Sequence, residues 1–179
     1  MPLAVDLCCG MGGWAVGLLA VGWDVIGFDV TAWPDYPALR VLQDVRTVDG
    51  RRLARASLIV ASPPCQEFSR KDIPWTRETA LEPSLDLVEA CYRIAREAGC
   101  PLVLENVRGA IPYLGRPAAR YRRRYLWGDG VPPLIWPSRP DSGKEKVAGG
   151  SLRAMLRAKI EPELALWVAE YHWRSLIDA

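Results

Sequence analysis

The stretch PLAVDLCCGMGGWAVGLLAVGWDVIGFDV, residues 2–30, decides the fold. Its first apolar run, PLAVDLC, is broken by GMGG. WAVGLLAVG follows with apolar residues at helical spacing, and WDVIGFDV is a second apolar run that ends on Asp29. Strands covered on both faces read as continuous apolar runs rather than alternating ones, so this order predicts strand, glycine turn, helix and a second buried strand.

Working outward, LQDV predicts a short third strand ending near Asp44, ASLIVAS a fourth and PLVLEN a fifth. SLDLVEACYRIAREAG predicts a helix with a cap at Ser84 and a stop at Gly99. Strands alternating with helices indicate an α/β fold with a mostly parallel sheet and helices on both faces. From residue 107 the signals weaken. VRGAIPYLGRP predicts a loop with one short turn, RRRYLWG a strand, and residues 128–150 are rich in glycine, proline and charge. Pro162 opens a terminal helix over Glu161–Leu176, with Leu164, Val168, Tyr171 and Leu176 spaced for one face. No repeat is present. The 179 residues suit one domain, divided into a catalytic part (1–125), a loop or hairpin (126–150) and C-terminal helices packing back (151–179).

Composition narrows the classes. No apolar stretch approaches the roughly 18 to 20 residues of a membrane span, and the first residues carry no basic leader. Five cysteines, an odd number without a CxxC spacing, point to reduced thiols and a cytoplasmic location. A single histidine, His172, read as a partly buried aromatic of the terminal helix, argues against a structural metal site and against histidine-based triads. The net charge of +2 is uninformative, but Arg116, Arg120, Arg122, Arg123 and Arg124 fall within nine positions, as a phosphate- or base-contacting surface would require.

The glycine turn brings backbone amides to a helix start, which suits the polar end of a nucleotide-like ligand. Gly10, Gly12 and Gly13 allow close approach, and Asp29 stands where a carboxylate can accept hydrogen bonds from both hydroxyls of a ribose. Dinucleotide and S-adenosylmethionine binders share this pattern. Asp44 reads either as an adenine contact or as a turn cap. Ligands of such sheets lie at the carboxyl ends of the strands, where Gly10, Asp29, Asp44 and Cys65 would all emerge. In ASPPCQEFSR, residues 61–70, two prolines hold Cys65 at a strand end in one direction, and VLENV places Glu105 at the tip of the next strand. A thiolate attacking carbon 6 of a pyrimidine makes carbon 5 nucleophilic only if charge building on the ring is neutralised. A carboxylic acid on ring nitrogen 3 does this, and an arginine on the ring carbonyl assists.

These residues resemble the DNA cytosine-5 methyltransferase family. DLCCGMGG is similar to the family's cofactor loop, SPPCQ to its nucleophile motif, ENV to its glutamate motif and RYRRR to its glutamine-x-arginine-x-arginine motif, in the family's order over residues 3–127. The resemblance implies a Rossmann-like S-adenosylmethionine-dependent methyltransferase fold, with Cys65 as covalent nucleophile, Glu105 as the acid on the base, and Arg122 and Arg124 orienting it. It places the cofactor, S-adenosyl-L-methionine, against Asp6, Leu7, Cys9, Gly10, Gly12, Gly13 and Trp14, then Asp29 and Val30, Asp44 and Val45, and Pro63. Duplex DNA would meet Gln66, Ser69, Arg70, Lys71, Arg120, Arg123, Arg139 and Lys144, with the base flipped from the stack and Trp75 in the closing loop. No metal, no membrane and a monomer are expected. Cys8, Cys9, Cys91 and Cys100 read as packing residues.

Three departures qualify the resemblance. Arg120 stands where the family has glutamine. The segment RAKIEPELALWVAEY keeps only the Ile160 to Leu164 outline of the family's C-terminal motif. The room for a target recognition domain shrinks to about residues 126–150, where Trp127, Trp136, Arg139, Lys144 and Lys146 would serve, implying a short or relaxed site of two or three base pairs. Rival readings are the same chemistry on transfer RNA or a free nucleotide, a catalytically silent DNA-binding module that keeps the fold, and a nicotinamide oxidoreductase resting on the glycine turn alone.

Overall fold

A computed structural model describes residues 1–72, 81–133 and 159–178, with Lys71 and Asp72 described in backbone alone. Among these residues one sheet contains β1 (Leu3–Leu7), β2 (Asp24–Asp29), β3 (Leu39–Leu42), β4 (Ala56–Ala61), β5 (Leu102–Asn106), β6 (Ala119–Tyr121) and β7 (Arg124–Trp127), in the order β3-β2-β1-β4-β5-β7-β6. The first five strands are parallel. β7 runs antiparallel to both β5 and β6. The chain thus forms the α/β sheet that the apolar runs predicted, extended by a hairpin.

Each central strand is buried on both sides, which explains its continuous apolar run. Along β4, Ile59 and Ala61 join the core with α3 (Asp86–Ala98), while Leu58 and Val60 join the core with α1 (Gly13–Val21) and α5 (Pro162–Ile177). Two shorter helices, α2 (Gln66–Asp72) and α4 (Ile111–Leu114), follow β4 and β5. The strand order reverses between β1 and β4, so the connections leaving their carboxyl ends part and open a crevice there.

Helices α1 and α5 pack with almost nothing between them. A Cβ added at Gly13 would lie 2.5 Å from the Ile160 nitrogen, and one at Gly17 would lie 2.4 Å from the Ala165 Cβ. Helix α3 ends on Gly99 in the left-handed conformation, as read from the sequence. Its cap position is Leu85, one residue later than expected, and Ser84 accepts from the Asp86 amide.

Several boundaries differ from expectation. The third strand is Leu39–Leu42, and Asp44 instead caps the 3-10 turn Val45–Thr47 by accepting from the Arg46 amide. This edge strand has only four residues with Leu39 and Leu42 exposed, so it lacks the apolar signal of a buried run. β6 was not expected. Trp127, assigned to nucleic-acid contact, is 4% exposed and donates its indole N–H to Gly115 O at 3.0 Å. It ends β7, so the sheet runs past residue 125. On α5 the buried face is Leu164, Ala165, Val168, Ala169 and His172, while Tyr171 and Leu176 are exposed. His172, expected to be partly buried, is buried, with Nε2 2.7 Å from Gly130 O. Cys9, Cys91 and Cys100 are buried and Cys8 is half-buried, all free thiols.

No described helix is long and apolar enough to cross a membrane. The close approach of α1 and α5 gives a stability test: Gly17→Val is expected to lower unfolding free energy by about 1–3 kcal/mol in urea denaturation, because backbone as well as side chain must move aside.

Candidate active site

The parallel strands deliver four groups to one end of the sheet: the glycine turn after β1, Asp29 closing β2, Cys65 beyond β4 and Glu105 near the end of β5. β1 is the neighbour of both β2 and β4, and β4 is the neighbour of β5, so these groups stand in one row.

Gly10 takes a positive φ of 49°, and its amide donates to Asp29 Oδ2 at 3.0 Å, tying the turn to the adjacent strand. The other Asp29 oxygen accepts from the Thr31 amide at 2.8 Å. Around Gly10 the space is open: an added Cβ would meet only Cys8 O, at 4.0 Å. The other two glycines serve packing. A Cβ at Gly12 would strike Pro37 at 2.5 Å, and Gly13 lies against Ile160. Close approach of a ligand to the backbone is therefore open at Gly10, and is not the reason for glycine at 12 or 13. Beneath the turn, Asp6 is fully buried, accepts from the Tyr36 hydroxyl at 3.3 Å, and leaves Oδ1 without a partner. Burial holds its carboxyl well above the usual range. An open glycine backbone, a partly accessible aspartate and an orphaned buried carboxyl oxygen form a donor and acceptor set that fits the polar end of an adenosyl amino acid.

The remaining cofactor-side residues divide by burial. Leu7, Cys9, Trp14, Val45 and Pro63 are buried, whereas Val30 is exposed. Both Asp44 oxygens are engaged by Arg46, with Nη2 to Oδ2 at 2.6 Å, and this pairing lowers the carboxyl's pKa.

The proline-cysteine segment is anchored from both sides. Trp14 Nε1 donates to Ser62 Oγ at 3.0 Å, and Asn106 Nδ2 donates to Pro63 O at 3.1 Å. Ser62 also hydrogen-bonds Glu105. Phe68 of α2 is buried against Tyr113, with ring centroids 5.7 Å apart, which seats the helix that follows Cys65. Cys65 is half-buried and bonded to the Ser69 side chain. Burial first, and the nearby Glu105 second, push its thiol pKa up. Ser69, expected on the nucleic acid, is thus turned to the thiol.

Glu105 is buried, and loss of solvent is the main cause that raises its pKa against the opposing pull of Arg124. Arg124 Nη1 lies 3.3 Å from Glu105 Oε1, its Nε donates to Glu161 Oε2 at 3.0 Å, and Nη2 donates to Lys159 O at 2.7 Å. The structure therefore brings Cys65, Glu105 and Arg124 together. Arg122 occupies the turn between β6 and β7 with a φ of 52°, its guanidinium over the Tyr121 ring. Arg120 is exposed and lies over Tyr125, and Arg123 is exposed with Nη2 3.9 Å from Glu161 Oε1. Gln66 and Arg70 are exposed on α2. The side chain of Lys71, and Trp75, Trp136, Arg139, Lys144 and Lys146, lie outside the described residues, as does most of the expected recognition loop.

Residues 3–112 match the family model for C-5 cytosine-specific DNA methylases. The chain belongs to this family. As a C-5 cytosine methylase family member its cofactor is S-adenosyl-L-methionine, and its sheet is the Rossmann-like methyltransferase fold. Among solved structures it is similar to a prophage-encoded protein from E. coli assigned as a DNA modification methyltransferase (21% identity, TM-score 0.46, covering 62% of this chain and 33% of that one). It is also similar to the S. pombe Dnmt2 methyltransferase (17%, 0.41, 62% and 36%) and to the Entamoeba histolytica methyltransferase EhMeth (16%, 0.47, 64% and 40%). The chain spans between a third and two fifths of the length of these structures. No curated protein sequence matches it significantly. Among the described residues no group of three or more metal-ligating side chains is present.

Sequence reasoning missed Ser62, which bridges Trp14 and Glu105, and Glu161, the second carboxylate on Arg124. Ser62 could have been found as the hydroxyl beside the two prolines. Glu161 had no such signal, since a glutamate before a helix-opening proline reads as a helix-end residue. The anchoring role of Asn106 is testable: it is fully buried and donates to Pro63 O while accepting from the Val107 amide at 2.8 Å. Asn106→Ala is expected to cost about 1–3 kcal/mol in chemical denaturation, as a buried carbonyl and amide lose their partners.

Proposed function

We propose that this chain transfers a methyl group from S-adenosylmethionine to carbon 5 of cytosine in DNA, through a covalent adduct on Cys65. The observation that carries the reading is the meeting of a thiol, a buried carboxyl and a buried arginine beside the open glycine turn.

The donor, when bound, supplies an electrophilic methyl group on a sulfonium. The residues suited to hold it are Gly10 through its backbone, Asp29 through its free lone pairs, and Asp44 once Arg46 yields. Cys65 rests as a thiol, so its proton must leave to water as the sulfur bonds carbon 6 of the ring. The electrons displaced from the ring are accommodated as Glu105 gives its proton to nitrogen 3. Burial raises the pKa of that acid, which favours the proton-bearing form the step needs. Arg124 reaches the same carboxyl, and its charge supports the ring carbonyl. Once carbon 5 has taken the methyl group, leaving the donor as a neutral thioether, the carbon-5 hydrogen leaves as a proton to water or hydroxide, the carbon–sulfur bond breaks, and the expelled Cys65 thiolate takes a proton back from water. Nitrogen 3 then returns its proton to Glu105. The net change is a methyl group in place of hydrogen and one proton released.

Exposed Arg120, Arg123, Gln66 and Arg70 border this end of the sheet and are the described candidates for phosphate contact. With the segment after β7, up to residue 150, as the recognition segment, the target is two or three base pairs long.

A labelled-methyl assay on duplex DNA, transfer RNA and dCMP tests the reading. Label in DNA alone is expected, and label confined to transfer RNA or dCMP would replace the substrate. Glu105→Gln is expected to lower the single-turnover rate about 10²- to 10⁴-fold, the usual worth of a positioned general acid. Asp29→Asn is expected to weaken donor binding by calorimetry about 10- to 100-fold, with little effect on transfer at saturating donor.

A further inference from the structure

Among the described residues, one buried arginine stands between two carboxylates. Arg124, with 5% of its side chain exposed, contacts Glu105, also at 5%, and Glu161, at 15%. Two ionised carboxylates sharing one buried cation repel each other, so the more deeply buried one keeps its proton. Of the two, Glu161 holds the arginine more closely. It accepts from Arg124 Nε at 3.0 Å, it has a second guanidinium within 3.9 Å in the half-exposed Arg123, and it lies nearer solvent. Glu161 occupies the cap position of α5, yet its side chain makes no capping hydrogen bond and is turned to the arginine instead. Its backbone carbonyl serves the helix, accepting from Leu164 and Ala165.

We propose that Glu161 is a positioning residue that claims the charge of Arg124 and thereby keeps Glu105 in its acid form for the base. The inference rests on the function proposed above and adds a member of the site from the segment where the family outline was weakest. The groups facing Glu105 agree with it. Ser62 and Cys65 come from the end of β4, Arg124 from β7, and Glu161 from the start of α5, with Lys159 contributing a carbonyl to the same guanidinium. Arg124 is thus the cation in contact with Glu105 among the described residues, and most of its hydrogen bonding is directed elsewhere.

The test is Glu161→Gln, which keeps an acceptor for Arg124 and removes the charge. Arg124 then stabilises ionised Glu105, whose titration is expected to fall by about one pH unit. Single-turnover methyl transfer to DNA is expected to match wild type at acid pH and to fall progressively behind, reaching about tenfold at alkaline pH. Glu161→Asp is expected to lie between the two. A rate deficit constant across pH would mark Glu161 as merely structural and overturn the proposal. Carbon-13 carboxyl NMR of Glu105, without DNA or donor, separates this from the function itself. A midpoint lowered in Glu161→Gln supports the proposal even if no substrate is methylated, and an unmoved midpoint refutes it even if DNA is. If the glutamine variant does not fold, the same titration on Glu161→Asp decides.

Discussion

The guanidinium of Arg124 is the point on which three parts of the chain converge. It leaves β7, faces Glu105 on β5, and holds Glu161 and the Lys159 carbonyl at the entry to α5. Burying it is expensive unless every donor is matched, and the cost of an unpaired buried charge is what makes this contact strict. Because α5 packs on α1 at Gly17, and Ile160 just before it packs on Gly13, the same contact also fixes the C-terminal helix against the helix that follows the glycine turn. The glycine turn and the Cys65–Glu105 end of the crevice are therefore parts of one packed unit.

Burial sets the chemistry as well as the fold. Glu105 and Cys65 both have raised pKa values, chiefly from loss of solvent, which favours the proton-bearing form of each. That state suits a reaction in which a proton is needed on the ring as sulfur adds. Ser62 and Asn106 tie the proline-cysteine segment to α1 and β5, so the thiol is placed by hydrogen bonds as well as by the stiffness of two prolines.

Much of this was legible in the sequence, for a physical reason. Strands buried on both faces leave unbroken apolar runs, and each polar residue closing such a run, Asp29, Cys65 or Glu105, stands out. What was not legible lacked that contrast. β3 is a short edge strand with exposed Leu39 and Leu42, and β6 is three residues inside an arginine cluster. Trp127 looked available to a nucleic acid because its strand neighbour β5 and the Gly115 carbonyl that takes its indole are distant in sequence. Gly12 and Gly13 looked like cofactor positions, but their missing side chains make room for Pro37 and Ile160. The pairing of Arg124 with Glu161 spans thirty-seven positions and leaves no local pattern.

The central claim is that Cys65 and Glu105 act on one pyrimidine ring. It is tested most directly by intact-mass and peptide analysis after incubation with S-adenosylmethionine and duplex DNA containing 5-fluorocytosine, where fluorine blocks loss of the proton from carbon 5. The account requires a stable protein–DNA adduct mapped to the peptide bearing Cys65, strongly reduced in Glu105→Gln and absent in Cys65→Ser. An adduct on another cysteine, or methyl transfer undiminished in Cys65→Ser, would contradict it.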